Sequence, residues 1–85
     1  MYQLIIKREA LKELKLLPKR ISAQIANEIE DLRKEPRPHG CLKLKGASEN
    51  LWRIRVGDYR VIYLIDDVVR IVNVRSIGNR KDIYE

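Results

Sequence analysis

LWRIRVGDYRVIYLI, residues Leu51 to Ile65, decides the fold. Two short runs alternate apolar and polar side chains on either side of Gly57-Asp58. Two turn-forming residues between alternating runs specify a β-hairpin. With Gly57-Asp58 as the loop, Val56 faces Tyr59, Ile54 faces Val61 and Trp52 faces Tyr63. These residues form an apolar face. The other face carries Arg55 opposite Arg60, with Arg53 two residues along, because side chains alternate across a strand. Like charges directly opposite each other destabilise a sheet. A bound polyanion would offset that repulsion.

Downstream of the hairpin, Asp66-Asp67 reads as a second two-residue turn and Val68 to Ile77 as a third alternating run. That register sets Ile65 against Val68, Val61 against Val72 and Tyr59 against Val74. It also sets Arg60 against Asn73, with Arg75 two residues on. Gly78 ends the strand, and the tail carries Arg80 and Tyr84. Upstream, Cys41 to Gly46 alternates as a short strand would, and residues 47–50 form a polar loop. Before that, Pro36, Pro38 and Gly40 break the chain. Ala10, Leu14 and Leu17 recur at helical spacing until Pro18. A second helix runs from about Lys19 to Lys34 on an apolar stripe of Ile21, Ile25, Ile29 and Leu32. Tyr2 to Lys7 reads as a first strand. The expected architecture is a single α+β domain over residues 1–85: an N-terminal strand, a two-helix hairpin, then a three- to four-stranded antiparallel sheet with the helices on one face.

The chain has 85 residues, 45% of them hydrophobic, enough for one packed core. Its net charge of +6 points to an anionic partner: nucleic acid, an acidic protein or a membrane surface. No apolar run is long enough to span a bilayer. The first residues read as a strand, so no leader peptide is expected. A single cysteine, Cys41, forms no intrachain disulfide, and a reducing cytoplasmic location is the expectation. One His and one Cys supply too few soft ligands for a structural zinc site, and no cofactor is expected. His39 reads as a surface loop residue. Trp52, Tyr59 and Tyr63 read as core, and Asp58, Asp66 and Asp67 as turn residues.

The element order, together with LKLKG, LWRIRVGDYRVIY and IGNRKDIY, resembles the RelE/ParE superfamily of type II toxin–antitoxin toxins, and is most similar to its RelE branch. The resemblance covers nearly the whole chain. RelE-type toxins are metal-free endoribonucleases that cut messenger RNA in the ribosomal A site, so it implies cleavage through the ribose 2′-hydroxyl. It also implies three partners, a cognate antitoxin, the ribosome and mRNA, and none in a membrane. Its catalytic positions fall on Arg53, Arg55, Arg60, Arg80 and Tyr84, and Lys45 falls on a supporting basic position. Lys43 and Arg75 complete the expected RNA-binding set. Two departures stand out. Relatives can have lysine where Arg53 and Arg55 stand, and several have a tail histidine where this chain has Asn79 before Arg80.

In metal-free cleavage the 2′-oxygen attacks the adjacent phosphorus and leaves a 2′,3′-cyclic phosphate. The protein must take up the 2′ proton, stabilise charge on the phosphoryl oxygens and protonate the 5′ leaving oxygen. Guanidinium groups suit the second task because they are planar, charged and bidentate. They are poor general bases. Arg80 suits the leaving group. Tyr84 either stacks on a base or, with its proton acidity raised by arginines, serves as the base. Two other readings stay open: a ParE-like inhibitor of DNA gyrase, and an inactive relative that binds only nucleic acid or antitoxin.

Overall fold

The computed structural model describes residues 1–79. Their elements are β1 (Gln3–Ile6), α1 (Arg8–Lys15), α2 (Lys19–Asp31), β2 (Leu42–Lys43), β3 (Leu51–Val56), β4 (Tyr59–Asp66) and β5 (Ile71–Asn79). The strands form one mixed sheet in the order β1-β5-β4-β3-β2. The four strands after the helices pair antiparallel, as expected. The fifth, β1, joins β5 in parallel.

Both helices bury one stripe. Ala10 and Leu14 of α1 and Ile25 and Ile29 of α2 point into the core, each pair one helical turn apart. Pro18 separates the helices at the N-cap of α2, where a missing N–H costs nothing, and its carbonyl accepts from the Ser22 N–H at 2.9 Å. The second helix stops at Asp31, short of the expected Lys34. Residues 32–34 tighten into bonds three residues back, such as Lys34 N–H to the Asp31 carbonyl at 3.1 Å. Pro36 is consistent with the stop, because in a continued helix it would have no N–H for the Leu32 carbonyl and its ring would clash with it.

The helices cover one sheet face. The core joins Ala10, Leu14, Ile25, Ile29 and Leu32 to inward residues of the strands, among them Ile54, Val61, Tyr63, Val72 and Val74. Tyr63 is fully buried, and its hydroxyl donates to the Pro36 carbonyl at 2.7 Å. That bond fastens the proline-rich loop to the centre of the sheet.

The first hairpin has the expected register: Val56 pairs with Tyr59, Arg55 with Arg60, Ile54 with Val61 and Trp52 with Tyr63. Gly57 supplies the positive φ of 62° that this turn requires. The second hairpin differs from expectation. Asp66 still belongs to β4 and pairs with Ile71, so residues 67–70 form a four-residue loop. Arg70 takes the left-handed conformation that closes it, at φ 59°. The Asp66 carboxylate accepts the N–H groups of Val68 and Val69 at 3.0 and 3.1 Å. Ile65 therefore pairs with Val72, not Val68, and Tyr63 with Val74. Beyond Tyr63 a β-bulge shifts the register once more. Val61 meets Ile77, Arg60 meets Gly78 and Tyr59 meets Asn79, in place of Val72, Asn73 and Val74.

Candidate functional site

The sheet face away from the helices carries the arginines. Arg55 and Arg60 are paired neighbours beside the Gly57-Asp58 turn. Arg53 lies on the same face, flanked by Ile62 of β4 and Leu42 of β2. Their exposures differ. Arg55 is open to solvent and Arg60 is half-buried, but Arg53 is only 6% exposed. The alternation that puts Arg53 on this face does not leave it open.

Arg75 reaches the same face through the bulge. Ile62 pairs with Ser76 and Tyr63 with Val74, which leaves Arg75 as the extra residue of β5. Two residues of a bulged strand oppose one on its partner, so Arg75 and Ser76 both lie on the Ile62 side. Its guanidinium donates to both oxygens of Glu49, at 3.1 and 2.9 Å. The guanidinium beside Glu49 lowers that carboxyl from its ordinary range, and Lys7 adds to the effect. Glu49 precedes β3, yet it reaches β5 two strands away, so the loop of residues 44–50 extends over β4.

The other expected positions separate. Lys45 is exposed in that loop. Lys43 pairs with Trp52 and so shares the helix-side face, away from Arg53. Arg80 and Tyr84 lie outside the described residues. His39 is exposed in the loop before β2. Among the described residues no three His, Cys, Asp or Glu side chains cluster as a metal site would need. No described helix is long and apolar enough to cross a membrane.

A second polar cluster lies at the opposite end of the sheet, where sequence gave no sign of it. Asp67 accepts from Arg37 at 2.7 and 3.2 Å and from the Tyr2 hydroxyl at 2.6 Å. Arg37 also stacks over Trp52, 4.9 Å from the ring centroid. Asp67 is thus more than a turn residue: it ties the N-terminus, the proline-rich loop and the β4–β5 loop together. The Arg37 and Tyr2 hydrogen bonds hold its carboxyl down to about 2, from an ordinary 3.8. A depressed folded-state value stabilises the fold at pH above the unfolded value, and this stabilisation is lost as pH falls through the folded one. Asp67→Asn is therefore expected to melt below the wild type at pH 7. Melting curves at successive pH values should show that gap closing between pH 4 and pH 2.

The profile of the family described as the ParE toxin of the type II toxin–antitoxin system parDE matches residues 4–84. This chain belongs to the RelE/ParE superfamily of toxins. A protein named RelE1 from Methanocaldococcus jannaschii is 35% identical over 85 residues, covering 94% of this chain and 91% of that protein. The toxin also resembles the crystal structure of the archaeal RelE–RelB complex from Pyrococcus horikoshii OT3. There the TM-score is 0.83 at 29% identity, over 96% of this chain and 98% of that one. The intact Escherichia coli RelBE toxin–antitoxin complex contains a similar chain, with a TM-score of 0.80 at 27% identity, over 93% of this chain and 96% of that one. The toxin thus has the RelE fold along nearly its whole length.

Proposed function

We propose that this toxin cleaves messenger RNA on the ribosome, without a metal, by attack of the ribose 2′-hydroxyl on the adjacent phosphate. One observation carries the reading: Arg55 and Arg60 face each other on a paired sheet, away from the helices, with Arg53 in the next row. A phosphodiester placed between Arg55 and Arg60 would meet two guanidinium groups held by paired strands. Such preorganised charge favours the dianionic phosphorane over the monoanionic ground state. Arg53, buried two residues along the same face, would add a third positive charge to the field at that phosphate. Arg80 would stabilise the leaving group, and Tyr84 would stack on a base or accept the 2′ proton. The similarity to RelE chains supports this reading.

The described part of the arginine face carries no side chain whose ordinary pKa lies near neutrality. The ribosome would then supply the orientation that brings the 2′-oxygen in line. Primer extension on messenger from a reconstituted translation reaction should show new 5′ ends inside translated codons. The same RNA without ribosomes should stay intact over the same period. Equal cutting of free and translated RNA would overturn the ribosome requirement.

The cytoplasmic partner that restrains the toxin would be an acidic or amphipathic antitoxin segment, in keeping with the RelE–RelB and RelBE complexes. A second reading, inhibition of DNA gyrase, is favoured by the ParE description of the matching family. Loss of supercoiling activity with purified gyrase, and no messenger cleavage, would establish it over the first.

A further inference from the structure

The Glu49–Arg75 pair has the geometry of an occupied anion site. Arg75 donates from two nitrogens to two carboxylate oxygens, the bidentate arrangement a guanidinium also offers to phosphate. The bulge turns Arg75 onto the arginine face, so the pair shares a surface with Arg53, Arg55 and Arg60. Lys7 follows β1, whose last residue Ile6 pairs with Val74, and its N–H donates to the Val74 carbonyl at 2.9 Å. That sets the Lys7 backbone next to the residue before Arg75, and the Lys7 charge acts on the Glu49 carboxyl.

We propose that Arg75 and Lys7 form a phosphate subsite in which the Glu49 carboxylate is a placeholder, and that a backbone phosphate of bound RNA displaces it. This rests on the RNA reading above and names a contact for it.

Three features favour exchange over a fixed strut. The pair is solvated, with 29% of the Arg75 side chain and 47% of the Glu49 side chain exposed, and solvated pairs are weak. The Asp67–Arg37 pair is as exposed, at 48% and 36%, and differs in being held from other sides by Tyr2 and Trp52. The loop carrying Glu49 is also anchored near its ends. Leu44 N–H donates to the Leu51 carbonyl at 3.0 Å, Asn50 exchanges bonds with Ile65 at 3.0 and 3.1 Å, and the Glu49 carbonyl accepts from the Leu51 N–H at 2.9 Å, a backbone bond that leaves its side chain free to turn. Residues 45–49 are all exposed, so Glu49 can leave without unpairing a strand. Finally, a carboxylate lying on a basic face lowers its pull on polyanions until one with more charge arrives.

The test is a double-mutant cycle of Glu49→Gln and Arg75→Gln, read by equilibrium binding. The probes are a single-stranded 2′-O-methyl RNA oligonucleotide, which cannot be cut, and inorganic tripolyphosphate. Thermal melts confirm that each variant is folded. Glu49→Gln should tighten RNA binding about tenfold at low salt and steepen the salt dependence by about 0.7, one further phosphate contact. In the Arg75→Gln background the same change should give less than a twofold gain. Equal gains in both backgrounds would overturn the proposal, because Glu49 would then act only through net charge. No gain in either background would also overturn it. The same coupling with tripolyphosphate, alongside no cleavage on ribosomes, would uphold the subsite while sinking the nuclease reading.

Discussion

Arg60→Ala is expected to slow cleavage of ribosome-bound messenger by two or more orders of magnitude. The residue is the second of β4, just after the turn, and pairs with Arg55. Both neighbours of its strand are hydrogen-bonded to it, so the Arg60 backbone cannot swing away from an added phosphate. Gly78 is its partner on β5, and the missing side chain there leaves room beside the guanidinium. Removing one preorganised donor from a growing oxyanion costs about 3 kcal/mol, which matches the expected loss. Arg60→Lys should recover part of the rate, since the ammonium keeps the charge and loses the fork. The variant should fold, because the change removes one of two like charges set opposite each other. Single-turnover cleavage on programmed ribosomes, beside a thermal melt, measures both. A folded Arg60→Ala protein that cuts at the normal rate would remove the arginine pair from the active site. An unfolded one would make Arg60 structural.

The hairpin that carries this pair was legible because turn and alternation agreed. Gly57-Asp58 fixed the loop, and any slip by one residue would have put arginines into the core. At the second hairpin the local signals conflicted. Asp66-Asp67 looks like a turn, while the true loop depends on Arg70 in a conformation usual for glycine or asparagine. The resulting shift, from Val68 to Val72 as partner of Ile65, is four residues, an even number. The apolar face therefore survived while the expected pairs did not. The bulge then added one more step, and no residue type announces a bulge at Arg75. The burial of Arg53 was equally hidden, because alternation gives a side and says nothing of what covers it. Glu49 and Arg37 escaped for a third reason. Their partners lie 26 and 30 residues away in sequence, and only the folded sheet brings them together.

Tyr63 is where the largest loss of stability is expected. It is fully buried at the centre of β4, paired with Trp52 on one side and Val74 on the other. Burial pushes its hydroxyl well above the ordinary tyrosine value, so the ring is neutral throughout the useful pH range. Tyr63→Ala removes an aromatic ring from a core that cannot fully collapse around the gap, at about 3–5 kcal/mol. It also strands the Pro36 carbonyl that the hydroxyl satisfies. A domain of this size has a total stability of roughly 4–13 kcal/mol, so most or all of it would go. Tyr63→Phe separates the two contributions. It keeps the ring and loses only the hydrogen bond, at about 1–3 kcal/mol for a buried acceptor left unpaired. Urea unfolding of both variants should give midpoints in the order wild type, Tyr63→Phe, Tyr63→Ala. The Phe variant should retain cleavage at saturating ribosomes, because Tyr63 lies on the helix side of the sheet and the arginines lie on the other. A Phe variant as stable as the wild type would mean that the loop holding Pro36 is anchored by the Arg37–Asp67 cluster alone.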